Sequence, residues 1–213
     1  MSELKTEEEQ IEAFKAWWKK NGTSLVLAVS IGVAGYFGSQ AWFQSQENHV
    51  TEASALYQNM VQAAADLTTE NNQKTVSFIA GQLLDDYSDT GYAAFGQLYV
   101  ARIAAENGEF ENAIAALKQA QEKTDDASLN AIADLRIARL LLESKELDAA
   151  LAQVNKVSFE EFTVQKQELK GDILLASGKK DEARVAYEAA SNALSANTSH
   201  PLLNIKLQDL VKS

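Results

Sequence analysis

The sequence predicts an all-α protein in two parts: one membrane-spanning helix near the N-terminus, then a superhelix of short helical repeats. Three observations predict it. One proline and ten glycines in 213 residues leave few helix breakers, while 46% apolar residues suffice for a packed core. Residues 21–46 carry no formal charge. And three later segments align on one another around a helix–turn–helix. The expected division is a cytoplasmic amphipathic tail over 1–22, a transmembrane helix over 23–44 and a repeat domain over 45–213.

The tail comes first. Thr6 and Glu9 stand at capping-box spacing, acids crowd the first turn and lysines the last, so residues 6–20 read as a short helix. Ile11, Phe14, Trp17 and Trp18 fall on one face, suited to a bilayer surface or a cytosolic partner.

The span follows. Its apolar heart, residues 25–43, reads LVLAVSIGVAGYFGSQAWF. At about 1.5 Å per residue, that helix covers about one hydrocarbon core. Trp17 and Trp18 precede it and Trp42 and Phe43 close it, as interfacial aromatics do. A secretory signal has a shorter tail and a small-residue cleavage site, so an uncleaved anchor fits better than a leader. A buried soluble helix is the other reading. Lys15, Lys19 and Lys20 sit just before the span, and no lysine or arginine follows until Lys74. The positive-inside rule then places the tail in the cytoplasm and the domain across the membrane, which is the periplasm in a bacterium with two membranes. Ser30, Ala34 and Gly38 share one stripe, with Gly35 on a neighbouring one. Small residues four apart admit a second helix closely in lipid, although such residues are common in spans anyway.

Beyond the span the apolar residues recur at periods of three and four. Helices are expected over 47–68, 72–87, 91–107, 110–123, 127–144, 146–156, 159–178, 180–195 and 201–211. The last begins at Pro201, behind Ser199 and His200. The aligned segments are ENGEFENAIAALKQA from Glu106, ESKELDAALAQVNKV from Glu143 and ASGKKDEARVAYEAA from Ala176. Each places an alanine five residues after the turn, at Ala113, Ala150 and Ala183. A bulkier residue follows at Leu117, Val154 and Tyr187, then Ala120, Val157 and Ala190. The preceding helix offers Ala101, Ala138 and Gly171 where two helices must cross most closely. The repeats are spaced near the 34 residues of tetratricopeptide repeats, and the fold is expected to be tetratricopeptide-like. The turn glycines stand only at Gly108 and Gly178, with Lys145 between, and the usual closing proline is missing.

The chemistry search returns an interaction surface. A net charge of −11, with few scattered basic residues, speaks against nucleic acid as a partner. There is no cysteine, and His49 and His200 have no metal-ligand spacing, so no metal, cofactor or small-molecule substrate is expected. No hydrolase, dinucleotide or P-loop motif occurs, and adjacent acids on helices read as solvated faces. The protein is therefore expected not to be an enzyme. The inner surface of the superhelix is the nearest thing to a site. By register, Phe95, Leu98 and Arg102 match Ile132, Leu135 and Arg139. Paired arginines among apolar residues suit a peptide's carboxylates. Pairing with the chain's own acids is the other reading.

The tail EEEQIEAFKAWWKKNG, the span core GVAGYFG, and the segments NAIADLRIARLLL and LKGDILLASGKKDEARVAYEAA occur in an order that resembles the YfgM family, ancillary subunits of the bacterial SecYEG translocon. The resemblance covers essentially the whole chain. It implies a single-pass inner-membrane protein that associates with SecYEG and with the periplasmic chaperone PpiD, helps newly translocated proteins, and has no catalytic residues. The alternative is a membrane-anchored scaffold for another envelope assembly, such as a pilus, secretion or division complex.

Overall fold

The computed structural model describes residues 6–194 and 200–212. The chain divides into two compact units, Met1–Thr51 and Glu52–Ser213. Among the described residues every regular element is helical.

Helix α1 spans Glu7–Ala63. Separate tail, span and 47–68 helices were expected; one continuous helix is found. No proline interrupts residues 7–63, and a lone glycine costs a helix only about 1 kcal/mol, too little to break it. At Gly22 the Trp18 indole lies over the backbone, so an added Cβ would sit 3.0 Å from the ring. Asn21 Nδ2 also donates to the Trp17 carbonyl at 3.1 Å. The start is as expected: the Thr6 N–H donates to Glu9 Oε2 at 3.2 Å, one limb of the capping box. Residues 23–48 are exposed throughout, including Ile31 and Phe37 at 65% each. An apolar stretch of this length, left uncovered by its own chain, is long enough to cross a bilayer.

In the second unit α1 ends over residues 52–63. It is followed by α2 (Glu70–Asp86), α3 (Gly91–Glu106), α4 (Phe110–Glu122), α5 (Ala127–Glu143), α6 (Leu147–Lys156), α7 (Thr163–Ala176), α8 (Lys180–Asn192) and α9 (Pro201–Lys212). From α2 onward each helix packs on the next in sequence, and α5 also touches α7. The core is accordingly a row of clusters. Ala53, Met60, Val76, Leu83 and Ile103 join α1, α2 and α3. Ala101, Leu117 and Ile137 join α3, α4 and α5. Ala138, Val154 and Ile173 join α5, α6 and α7, and Tyr187 with Leu203 closes α7, α8 and α9. Each repeat buries its apolar face only against its neighbours.

The three pairs α3–α4, α5–α6 and α7–α8 are the expected repeats, and their turns are identical in kind. Gly108, Lys145 and Gly178 all adopt the left-handed conformation, at φ 78°, 63° and 77°. Each is the pivot of a Schellman motif. The Glu109, Glu146 and Lys179 N–H groups reach back to Ala104, Leu141 and Leu174 carbonyls at 2.8, 2.8 and 2.9 Å. Lys145 thus accepts a conformation that glycine takes without steric cost.

The close crossings also fall in register. Ala113, Ala150 and Ala183 are fully buried, as are Ala138 and Val154, with Ala101 nearly so. At Gly171 an added Cβ would lie 2.4 Å from the Tyr187 ring, so the glycine is required by the bulk of its partner. A second crossing escaped the repeat pattern: Gly96 rests on Ala80, where a Cβ would meet Ala80 at 3.4 Å.

Two expectations need correction. The helix expected over 159–178 starts at Thr163, behind a 3₁₀ turn at Glu160–Phe162. Val157 and Phe159 are extended, and the Lys166 ammonium donates to the Val157 carbonyl, which holds the break. The helix expected to reach residue 195 ends at Asn192; Ser195 and Ser199 lie outside the described residues. At α9 the His200 imidazole serves as a cap. His200 Nδ1 accepts the Leu203 N–H at 3.3 Å, and its Nε2 lies 3.4 Å from Glu168.

Candidate interaction groove

The residues that matter here are set by the repeat register. Helices α3 and α5, the first of their pairs, turn one face to the inner side of the stack. A groove of about 540 Å³ opens between them, lined by Tyr57, Phe95, Leu98, Tyr99, Arg102, Arg136, Arg139 and Leu140 among others. A smaller concavity of about 140 Å³ lies beside it, lined by Ile132, Leu135, Arg136, Arg139, Phe162 and Gln165. The six residues expected from the sequence divide between the two. Phe95, Leu98 and Arg102 face the larger, Ile132 and Leu135 the smaller, and Arg139 borders both.

The floor of the larger groove is aromatic. Tyr57 lies 5.9 Å from Phe95 and 5.2 Å from Tyr92, centroid to centroid. Burial, the charge of Tyr99 and a hydrogen bond to it raise the Tyr57 phenol above the ordinary tyrosine range, so the Tyr57 hydroxyl stays neutral at physiological pH. The rim is cationic. Arg102 Nε pairs with Glu106 at 2.8 Å, a solvent-exposed pair one helical turn apart. Arg136 and Arg139 are exposed, and among the described residues neither has a carboxylate within ion-pair distance.

Sequence reasoning missed Tyr57 and Arg136. Tyr57 comes from the end of α1, which carries no repeat motif to align. Arg136 was within reach: it stands three residues before Arg139 on the same helical face, and one repeat after Tyr99.

At the far end of the stack the same inner face is closed by α9. Lys206 Nζ bridges Glu168 at 2.8 Å and Asp172 at 2.7 Å, and the Tyr187 hydroxyl donates to Asp172 at 2.8 Å. Burial opposes the Lys206 ammonium, but the hydrogen bonds and charges of Asp172 and Glu168 outweigh it and raise its pKa. Burial first, and then the bond to Asp172, push the Tyr187 phenol far above the usual range.

The span residues singled out for helix packing stand open. Ser30, Ala34, Gly35 and Gly38 are exposed, and a Cβ added at Gly35 or Gly38 meets nothing within 4 Å. Among the described residues no group of acids and histidines is placed to hold a metal.

A tetratricopeptide repeat-like domain family matches residues 15–212. The chain is 32% identical over 204 residues to the ancillary SecYEG translocon subunit of Haemophilus influenzae, covering 96% of this chain and 97% of the relative. It is 30% identical over 210 residues to the protein of that name from Escherichia coli, covering 99% of both. The protein so named from Neisseria gonorrhoeae is 26% identical over 205 residues, covering 96% of this chain and 97% of the relative.

Proposed function

This chain belongs to the tetratricopeptide-like family of ancillary SecYEG translocon subunits, and from that premise we propose that it is a non-enzymatic subunit of the same translocon. It links the channel to periplasmic chaperones, PpiD among them, for newly translocated proteins. The observation that carries this reading is the full-length similarity to those subunits, from tail to cap, in a chain built as one exposed apolar helix and a repeat domain. Tetratricopeptide-like stacks make extended inner surfaces for polypeptides, and an open groove with an aromatic floor supports binding over catalysis.

The anchor sits in the inner membrane over residues 23–44. Lys15, Lys19 and Lys20 hold the tail on the cytoplasmic side, which places the repeat domain in the periplasm. The small residues Ser30, Ala34, Gly35 and Gly38 leave room for a neighbouring helix in lipid.

The test is site-specific photo-crosslinking in native membranes, with probes at Gly35, Leu98 and Leu135, alongside affinity purification of the full chain. SecYEG subunits crosslinked from Gly35, and PpiD or another chaperone from Leu98 or Leu135, are the expected result. Recovery of a pilus, secretion or division assembly with neither present would overturn it and leave an anchored scaffold of a different complex.

A further inference from the structure

The chain contains four arginines, Arg102, Arg136, Arg139 and Arg184, and three of them line the groove between α3 and α5. That is a marked concentration in a protein of net charge −11. Arg136 and Arg139 are three residues apart on one helix face, an arrangement that like-charge repulsion disfavours by a few tenths of a kcal/mol. Arg102 has Glu106; the other two have no acid of the described chain to offset them.

The repeat register sharpens the point. At one position of successive inner helices stand Arg102, Arg139, Asp172 and Lys206. The last two neutralise each other at 2.7 Å, so at that end the stack supplies its own counter-charge. At the other end Arg102 has only the exposed Glu106 on its own helix, and Arg139 has no acid partner among the described residues.

The apolar surface is divided by these arginines. Arg136 and Arg139 border both concavities, with Tyr57, Phe95 and Leu98 on one side and Ile132, Leu135 and Phe162 on the other. From this arrangement we infer that the groove takes an internal acidic segment of a partner protein, in which apolar side chains flank one or more aspartates or glutamates. This rests on the adaptor reading above and names the chemistry of its ligand. The apolar side chains enter the two concavities. The carboxylates meet the guanidinium forks on the ridge between them, where planar bidentate pairing is available. A basic segment, or a purely apolar one, leaves the arginines unpaired. The open side of the groove lets a chain pass through without presenting its terminus.

The experiment uses the full chain in a non-ionic detergent and reads fluorescence anisotropy. The probe is a fluorescein-labelled, C-terminally amidated peptide with the core Leu-Phe-Asp-Glu-Asp-Leu-Phe. It is expected to bind, and more weakly as salt rises. A peptide with lysines for the acids, and one with serines for the apolar residues, are each expected to bind at least about tenfold more weakly. Arg139→Glu and Arg136→Ala each weaken the acidic probe about tenfold, the scale of one lost charge-assisted pair. Both side chains are exposed, so the fold is expected to survive, and circular dichroism checks it. Equal binding of the lysine peptide, or arginine variants that bind like the parent, would overturn the inference. So would a probe that binds only when its C-terminus is free, which would make the ligand a chain end. Co-purification with SecYEG is read separately. If the parent chain pulls down the translocon but ignores the probe, the ligand class is wrong and the adaptor stands. If it binds the probe but never the translocon, the adaptor's placement is wrong and the groove chemistry stands.

Discussion

The two ends of the repeat stack use one scaffold position in opposite ways. At the C-terminal end, Asp172 and Lys206 face each other, Glu168 and Tyr187 join them, and α9 covers the inner face. Between α3 and α5 the equivalent position holds Arg102 and Arg139, and the face stays open. The closed end turns charge into cohesion, whereas the open end keeps it exposed at a small cost in repulsion. A position that a partner must reach cannot also be filled by the chain itself. The difference separates residues that hold the fold from residues available to a ligand.

Gly171→Ala should break the closed end most strongly. The new methyl would meet the Tyr187 ring at 2.4 Å, and that ring is held by Asp172. Overpacking of this kind costs about 1–3 kcal/mol, to be read as a lowered urea midpoint for the full chain in detergent. Tyr187→Leu in the same chain should recover part of that loss. Repeats one and two show why, since alanine at the crossing coexists there with Leu117 or Val154. A double-mutant cycle measures the coupling.

Lys206→Met follows in size. It leaves Glu168 and Asp172 without their shared cation and should cost about 1–2 kcal/mol by the same measurement, since the site is only partly buried. Arg139→Ala at the equivalent open position should change stability by less than about 0.5 kcal/mol. Equal effects at the two positions would erase the distinction drawn between them.

Lys145→Gly falls between Lys206→Met and Arg139→Ala in size. It relieves a left-handed lysine at φ 63°, partly offset by the greater freedom of glycine when unfolded, and should stabilise by about 0.5–1 kcal/mol. A raised thermal midpoint checks it.

Alkaline pH probes the closed end without mutation. Tyr187 and Lys206 both have folded pKa values raised above the ordinary 10.0 and 10.5. The folded state therefore holds these protons more tightly than the unfolded one. Their contribution is complete below pH 10 and declines as pH rises past 10 to 10.5 and on through the folded values. Urea midpoints measured from pH 9 to 11 should fall in the parent, and less steeply in Tyr187→Phe.

Much of this was legible in the sequence because it is periodic. Ala113, Ala150 and Ala183 announce close crossings by recurring after each turn, and all three are fully buried. Residues 25–43 announce, by length and lack of charge, a helix apolar enough to cross a bilayer. The groove was half legible. Register pairs Arg102 with Arg139, but Tyr57 lies in a helix with no motif, and the smaller concavity needs Phe162 from the 3₁₀ turn. Such residues meet through space rather than through spacing.

What the sequence determined by itself is the local and repeating part: helices, turn positions, small crossing residues and the long apolar stretch near the N-terminus. Each rests on short-range sterics or on transfer from water, and both are written in neighbouring residues. The tertiary structure alone decided that α1 runs unbroken from Glu7 to Ala63, that Gly171 answers the bulk of Tyr187, and that Asp172 belongs to Lys206. It also decided which arginines remain without an acid among the described residues. The reason is that partnership between side chains depends on how the stack is closed, and α9 reaches only one end of it.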